Sequence, residues 1–345
     1  MMEEKRKLSS EKVKAEALRL GFSACGMARA EMVDKSTAGF FRQWLSQGNH
    51  AEMHYMENHL EKRLDPRQLL EGAKTVVCVA LNYAPGKRFP DGEYQLADYA
   101  LGQDYHDIMR QKLHQLAEAI LSPLYLKPDG ESPETQGDKL QTVPYRAFAD
   151  TAPILERYWA EKAGLGWMGR NHQLIIPPRE GESSGGGSMF FLGELLLDVE
   201  TDHYDTPMKN RCGICTRCID ACPTGALAHP VFNAGRCLSY QTIENRGKIP
   251  SDLVKLMGDT IYGCDRCQRA CPWNRFARPN GEPLLQPKTE LLSMTCEQWE
   301  HLSHDDYRRL FKGSAVKRAK YEGLMRNIRA VSQEKQLNHS GDAES

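Results

Sequence analysis

The residues best suited to chemistry crowd into one stretch, Cys212 to Cys271. It opens with Cys212-Gly-Ile-Cys215-Thr-Arg-Cys218-Ile-Asp-Ala-Cys222-Pro223, passes a solitary Cys237, and closes with Cys264-Asp-Arg-Cys267-Gln-Arg-Ala-Cys271-Pro272. The first run has the bacterial-ferredoxin spacing, in which three thiolates hold one 4Fe–4S cluster and the fourth reaches a second. Two intervening residues let successive sulfurs face one cubane, whereas the longer step to Cys222 begins a helix and turns its sulfur away. Two cubanes need eight thiolates, and this stretch holds eight. The expected pairing is crossed, with Cys212, Cys215, Cys218 and Cys271 on one cluster and Cys222, Cys237, Cys264 and Cys267 on the other. A zinc ribbon would show paired C-x2-C units without the third cysteine and the closing Cys-Pro. Disulfides need an oxidising compartment, to which nothing in the sequence points. Cys25, Cys78 and Cys296 fall outside the pattern and read as small buried hydrophobes.

The elements that must position these thiols belong to a chain of 345 residues, enough for two domains or one large domain with an appendage. A composition 40% hydrophobic and 26% charged is that of a soluble globular protein. No apolar run reaches membrane-spanning length, and the N-terminal Met1-Met-Glu-Glu-Lys-Arg-Lys7 leads into a polar helix, unlike a signal peptide. A cytoplasmic protein is expected, since thiols stay reduced there. The net charge is only −1, so any surface for nucleic acid must be local.

Ser9 or Ser10 can cap a helix through Leu20 that Gly21 ends, and a second helix is expected over Thr37–Gln47. The unbroken apolar run Thr75–Leu81 reads as a buried central strand, with Asn82–Gly86 at its carboxyl end, where α/β sheets bind ligands. Asp104-Tyr105-His106 opens a long helix to about Leu121, and Ser122–Thr142 is loop-like. A strand over Tyr145–Ala149 ends in Asp150 and precedes a helix from Ile154 to Lys162. Strands Gln173–Ile176 and Met189–Leu197 flank a loop whose Gly185-Gly-Gly187 lacks the lysine and helix of a phosphate-binding loop, so a hairpin connection is expected. Beyond Pro272, helices are expected over Leu291–Leu302, Asp305–Leu310 and Lys317–Val331, followed by a disordered tail from Ser332 to Ser345. Arg308, Arg309, Lys312, Lys317, Arg318, Lys320, Arg326 and Arg329 stand against Glu322 alone, which suits a phosphate backbone.

Several further pieces fall into place together: Arg63-x-Asp-Pro-Arg67, Tyr99-Ala-x-Gly102-x-Asp-Tyr-His106, Asp150-Thr-Ala-Pro-x-x-Glu156-Arg157 and Ala163-Gly-Leu-Gly-Trp-Met-Gly-Arg-Asn171. With the cysteine region, Cys237-Leu-Ser-Tyr240, and Ser314-Ala-x-Lys-Arg318 through Arg326-Asn327, the chain from about residue 60 to 330 resembles the epoxyqueuosine reductases. These are cobalamin-dependent iron–sulfur enzymes of tRNA modification. The resemblance implies an α+β or α/β fold: an α/β cobalamin-binding domain like that of reductive dehalogenases over 1–205 and a two-cluster ferredoxin-like domain over 206–282. A basic tRNA-contacting helical segment over 283–331 and a disordered tail over 332–345 would follow. It implies reduction of epoxyqueuosine to queuosine at the tRNA wobble position, with an external low-potential electron donor, two 4Fe–4S clusters and base-off cobalamin in a monomer. Many members carry helical repeats beyond the basic segment, where this chain has a short tail.

The same resemblance places Arg63, Asp104, Tyr105, His106, Asp150, Arg157, Trp167, Asn171 and Ser239 around cobalamin, and Lys317, Arg318, Lys320 and Arg326 on tRNA. Asp150, at the end of its strand, is the expected general acid, kept protonated near neutral pH by desolvation. Alternatively it caps the helix near Thr151–Pro153, leaving Glu156 or Tyr105 as the acid. Two other functions remain open on sequence: a cobalamin enzyme of small molecules, and a flavin and iron–sulfur electron carrier without a tRNA role.

Overall fold

The computed structural model describes residues 7–125, 143–228 and 231–342. Its layering follows from Thr75–Asn82 (β2), buried from Thr75 to Leu81. Val77, Val79 and Leu81 pack to one side, and Val76, Cys78 and Ala80 to the other. Such a strand must lie inside a sheet covered on both faces. It pairs with Ala24–Arg29 (β1) and Phe190–Leu197 (β7), and Tyr145–Phe148 (β4) completes the order β1-β2-β7-β4. One face is covered by helices Ser10–Arg19 (α1) and Tyr105–Tyr125 (α4), through Val13, Ala17, Met109 and Leu113. Helices Lys35–Ser46 (α2), Leu60–Leu64 (α3) and Glu156–Lys162 (α5) cover the other, through Phe41, Leu64 and Trp159.

Every pairing in this sheet is antiparallel. The expected rule that ligands sit at the carboxyl ends of parallel strands therefore does not apply as stated. However, β2 and β4 are each antiparallel to β7 and so run the same way, and Asn82 and Phe148 reach the same edge. Helix α4 continues to Tyr125, past the expected end at Leu121, and the rest of the expected Ser122–Thr142 loop lies outside the described residues.

A second core does not respect the expected boundary at residue 205. Gln95–Leu96 (β3) lies parallel to Thr260–Tyr262 (β8), and Tyr94, Leu96 and Leu101 pack among Leu253, Ile261, Trp299 and Ile328. The short helices Arg217–Asp220 (α6) and Arg266–Arg269 (α9) sit within the two cysteine runs, Leu238–Ile243 (α7) follows Cys237, and Ser251–Val254 (α8) precedes β8. The helix expected over Leu291–Leu302 is two, Thr289–Leu292 (α10) and Cys296–Glu300 (α11), because Thr295 and Gln298 form a capping box that starts a new helix. His304–Leu310 (α12) follows. The last helix, Lys320–Asp342 (α13), begins after a 3-10 turn capped by Ser314. It absorbs most of the expected disordered tail: Leu324, Ile328 and Val331 are buried, and Lys335 reaches Asp259 at 2.6 Å. The tail is polar but rich in helix-favouring residues, so it continues the helix; residues 343–345 lie outside the described residues.

Trp167–Met168 (β5) and Leu174–Ile175 (β6) form a small hairpin, and Ile176 bridges to Gly187. The glycine run binds the chain that leaves Cys271: the amides of Gly185 and Gly186 donate to the carbonyl of Phe276. At Gly187 the backbone has φ +119°, and an added Cβ would stand 2.3 Å from Asn274 Oδ1. Gly187→Ala is expected to destabilise the fold by about 1–3 kcal/mol, through strain and overpacking. Denaturant unfolding with no loss beyond a few tenths of a kcal/mol would contradict this close approach.

Candidate active site

Where β4 ends, Asp150 takes a left-handed backbone at φ +53°. Its carboxylate accepts a 2.5 Å hydrogen bond from Tyr105 Oη and faces His106 Nε2 at 3.7 Å. His106 Nδ1 in turn lies 2.6 Å from Asp104. The backbone N–H of Asp150 donates to Glu156 Oε1. Helix α5 begins at Glu156 after Leu155 with no side-chain cap, so Asp150 does not serve as the expected alternative, a helix cap.

The charges settle differently from the sequence expectation. Burial works to raise Asp150, but its bonds with His106 and Tyr105 outweigh that and hold it below the ordinary value. Its side chain is 61% exposed, so desolvation is too incomplete to keep it protonated. Burial alone would depress His106, yet Asp104 and Asp150 push it up to about 9. Burial and the neighbouring Asp150 push Glu156 up to about 8. At neutral pH the protons therefore rest on His106 and Glu156, with Asp150 ionised between them. Behind them Glu194, at the centre of β7, is fully buried with both oxygens unpartnered among the described residues, and burial drives its pKa well up.

Arg63 is buried, donating one N–H to the carbonyl of Tyr55 while its Nε has no partner among the described residues; burial lowers its pKa. Arg157 donates to the carbonyl of His172 and is likewise lowered by burial. Asn171 is 3% exposed, and its Nδ2 has no partner among the described residues. Trp167 is not brought to Asp150. Its ring is wholly buried against Cys271 and Trp273, because the β5–β6 hairpin packs on the cysteine region. Ser239 sits half-buried in α7, its amide facing the Cys237 thiol.

The eight thiols gather in two sets. Burial, then Cys271 and Cys212, push Cys218 up, and Cys271 in turn neighbours Cys212 and Cys215. Burial, then Cys264, Cys237 and Cys222 among its neighbours, push Cys267 up. Four thiolates around one zinc would lie about 3.8 Å apart, from Zn–S bonds of about 2.3 Å. Among the described residues no three cysteine thiols lie within 4.8 Å of one another, so none of them is drawn together as around one zinc. An aromatic chain links the second set to Asp150: Gln268 Nε2 donates to Tyr83 Oη at 3.0 Å, Tyr83 meets Phe191 at 4.6 Å, and Phe191 stacks on Tyr105 at 4.1 Å.

The basic segment is less free than its sequence suggests. Arg326 donates to the carbonyls of Gln241, Asn245 and Gly247, and so fastens α13 to the turn after α7. Arg318 pairs with Glu244 through two 2.8 Å bonds and covers the ring of Tyr55. Lys317 and Lys320 are exposed and form no ion pair among the described residues. Sequence reasoning missed Tyr55 and Glu194. An acid inside the apolar run Phe190–Leu197 was a legible signal for Glu194, whereas nothing marked Tyr55.

Residues 63–151 match the family model "Epoxyqueuosine reductase QueG, DUF1730", and residues 211–274 match the 4Fe-4S double cluster binding domain. The epoxyqueuosine reductase of Cellulophaga algicola is 42% identical over 320 residues, 92% of this chain and 96% of that relative. The chain belongs to the epoxyqueuosine reductase family. It is thus an oxidoreductase with a double 4Fe–4S cluster-binding domain. A solved epoxyqueuosine reductase with an epoxyqueuosine-modified tRNA-Tyr stem loop matches with TM-score 0.77 and 27% identity, over 93% of this chain and 80% of that one. One from Bacillus subtilis, solved with an aspartate-bearing catalytic loop swung out of its active site, matches with the same scores and coverage. No helix among the described residues is long and apolar enough to cross a membrane.

Glu156 holds its proton more tightly folded, at about 8, than at its ordinary 4.5. Between those values the native state binds more protons than the unfolded one, so stability falls as pH rises, by up to about 1.4 kcal/mol per unit. Glu156→Gln is expected to flatten the decline in unfolding free energy between about pH 5 and about pH 7.5. A decline as steep as that of the wild type would show that Glu156 is ionised.

Proposed function

We propose that this chain reduces the epoxide of epoxyqueuosine in a tRNA anticodon loop, with Asp150 as the group that hands protons to the departing oxygen. The observation that carries this is Asp150 itself, an exposed carboxylate bonded to Tyr105, faced by protonated His106 and joined to Glu156. Opening an epoxide to an alkene takes two electrons and two protons and releases water. His106 and Glu156 hold two protons beside Asp150, so the proton count is met without recruiting a distant acid.

The donor set suits a corrinoid, whose rim carries amide side chains. Arg63 Nε and Asn171 Nδ2 are buried N–H donors without partners among the described residues, the kind of group that an amide carbonyl satisfies. Arg157 and the Asp104–His106 wall would complete the pocket. When bound, the clusters supply electrons singly and cobalamin supplies the two-electron reductant. Both nitrogens of His106 face carboxylates, so its imidazole would serve the pocket wall and orient Asp150. Tyr105 and His106 hold the Asp150 carboxylate in place, and Asp150 carries the proton to the oxygen. On the RNA side, exposed Lys317 and Lys320 suit phosphates, while Arg318 and Arg326 act by holding the segment in shape.

Asp150→Asn is expected to retain fold, iron and stem-loop affinity yet lose about 10² to 10⁴ in turnover, since an amide cannot relay the proton. Turnover near that of the wild type would move the role to His106. Lys317→Glu with Lys320→Glu should weaken binding of an anticodon stem-loop and lower the salt slope by about one per lost contact. Unaltered affinity at low and moderate salt would make these lysines a solvated face.

A further inference from the structure

The loop that carries the first three cysteines stands on the surface, and its most exposed residue is apolar. Ile214, between Cys212 and Cys215, is 96% exposed, and nothing lies within 4 Å of a Cβ built at Gly213. An aliphatic side chain held this far into water has no role in the folding of this chain. Around it stand Lys209, Arg211 and Arg217, all exposed, and the half-buried Arg170. The one acid in the same loop and helix, Asp220, is engaged by Thr216 Oγ1 at 2.8 Å. The loop is also held rigidly. Arg170 donates to the carbonyl of Gly213 at 2.9 Å, Asn210 Nδ2 donates to the carbonyl of Met168 at 2.8 Å, and Asn210 Oδ1 accepts from the amide of Cys212 at 2.8 Å.

The second set of cysteines is placed differently. Asp265 and Gln268, beside Cys264 and Cys267, are buried, and Arg266 between them donates to the carbonyls of Leu256 and Met257. That set neighbours the contacts leading to Asp150 through Gln268, whereas Cys212 and Cys215 of the first set are half-buried within an exposed surface loop.

We propose that the loop from Lys209 to Arg217 is the docking surface for the electron donor, a small acidic protein that carries one low-potential electron. This rests on the two cysteine sets holding clusters. Ile214 supplies the apolar centre of the contact and the four cations its rim. Small charge-steered interfaces of this kind suit short-lived redox encounters. An RNA backbone would use the cations but gives Ile214 no partner, and the exposed lysines of the C-terminal segment already suit that ligand. In each encounter the carrier is oxidised by one electron and the first cluster is reduced by one. Two encounters supply the two electrons that, with two protons, turn one epoxide into an alkene and water.

The test uses the cluster-loaded, cobalamin-bound protein with reduced flavodoxin as the acidic probe and reduced methyl viologen as a small reductant that needs no docking. The variants are Lys209→Glu with Arg217→Glu and, separately, Ile214→Ser, which leaves the charge beside the cluster unchanged. Both are expected to raise the Kd for flavodoxin, and to lower flavodoxin-driven turnover, by about tenfold or more, with viologen-driven turnover, iron content and stem-loop affinity within about twofold of the wild type. The charge variant should also flatten the salt dependence of flavodoxin association. An unchanged Kd for flavodoxin would overturn the proposal, as would equal losses with both reductants or a loss confined to stem-loop affinity. A wild type inactive even with viologen would count against the assigned reaction instead, and the flavodoxin Kd would then decide the docking surface alone.

Discussion

Carboxyl groups crowded into one poorly solvated site cannot all be charged, and the site around Asp150 is built on that constraint. Asp150 stays ionised because it is the exposed member and takes bonds from Tyr105 and His106. Glu156 keeps its proton, and burial drives the pKa of Glu194 behind it well up too. The gradient runs from a charged mouth to a neutral interior, so acid is stored beside the place where oxygen must leave. The sheet provides for this by ending β4 at the edge where β7 begins, with α5 bringing Glu156 up to the amide of Asp150.

The same edge joins the two halves of the chain. Phe191, near the start of β7, stacks on Tyr105 and meets Tyr83 at a tilt, and Tyr83 reaches Gln268 inside the second cysteine run. Phe89 to Leu101 leave the first core for the second, and the glycine run before β7 grips the chain after Cys271.

Much of this was legible in the sequence, for identifiable reasons. The spacing of Cys212 to Cys271 is dictated by cluster geometry, and the unbroken Thr75–Leu81 run could be stable only between two layers. The resemblance of the surrounding motifs supplied the family. What the sequence concealed depends on partners distant in the chain. The ionisation of Asp150 is set by His106, and the roles of Arg318 and Arg326 by Glu244 and by carbonyls near Asn245. The antiparallel sheet and the ordered helix to Asp342 likewise depend on β7 and on Asp259, which local pattern does not reveal.

Crossed pairing of the eight thiols would join Cys212, Cys215, Cys218 and Cys271 in one cluster, so that cysteines distant in sequence serve the same cubane. The most direct measurement is electron paramagnetic resonance with iron analysis of anaerobically prepared wild type, Cys212→Ser and Cys271→Ser. Crossed pairing gives about eight irons per wild-type chain and loss of the same cluster signal in both variants, although the two cysteines lie far apart in sequence. About four irons in the wild type, or loss of different signals in the two variants, would contradict it.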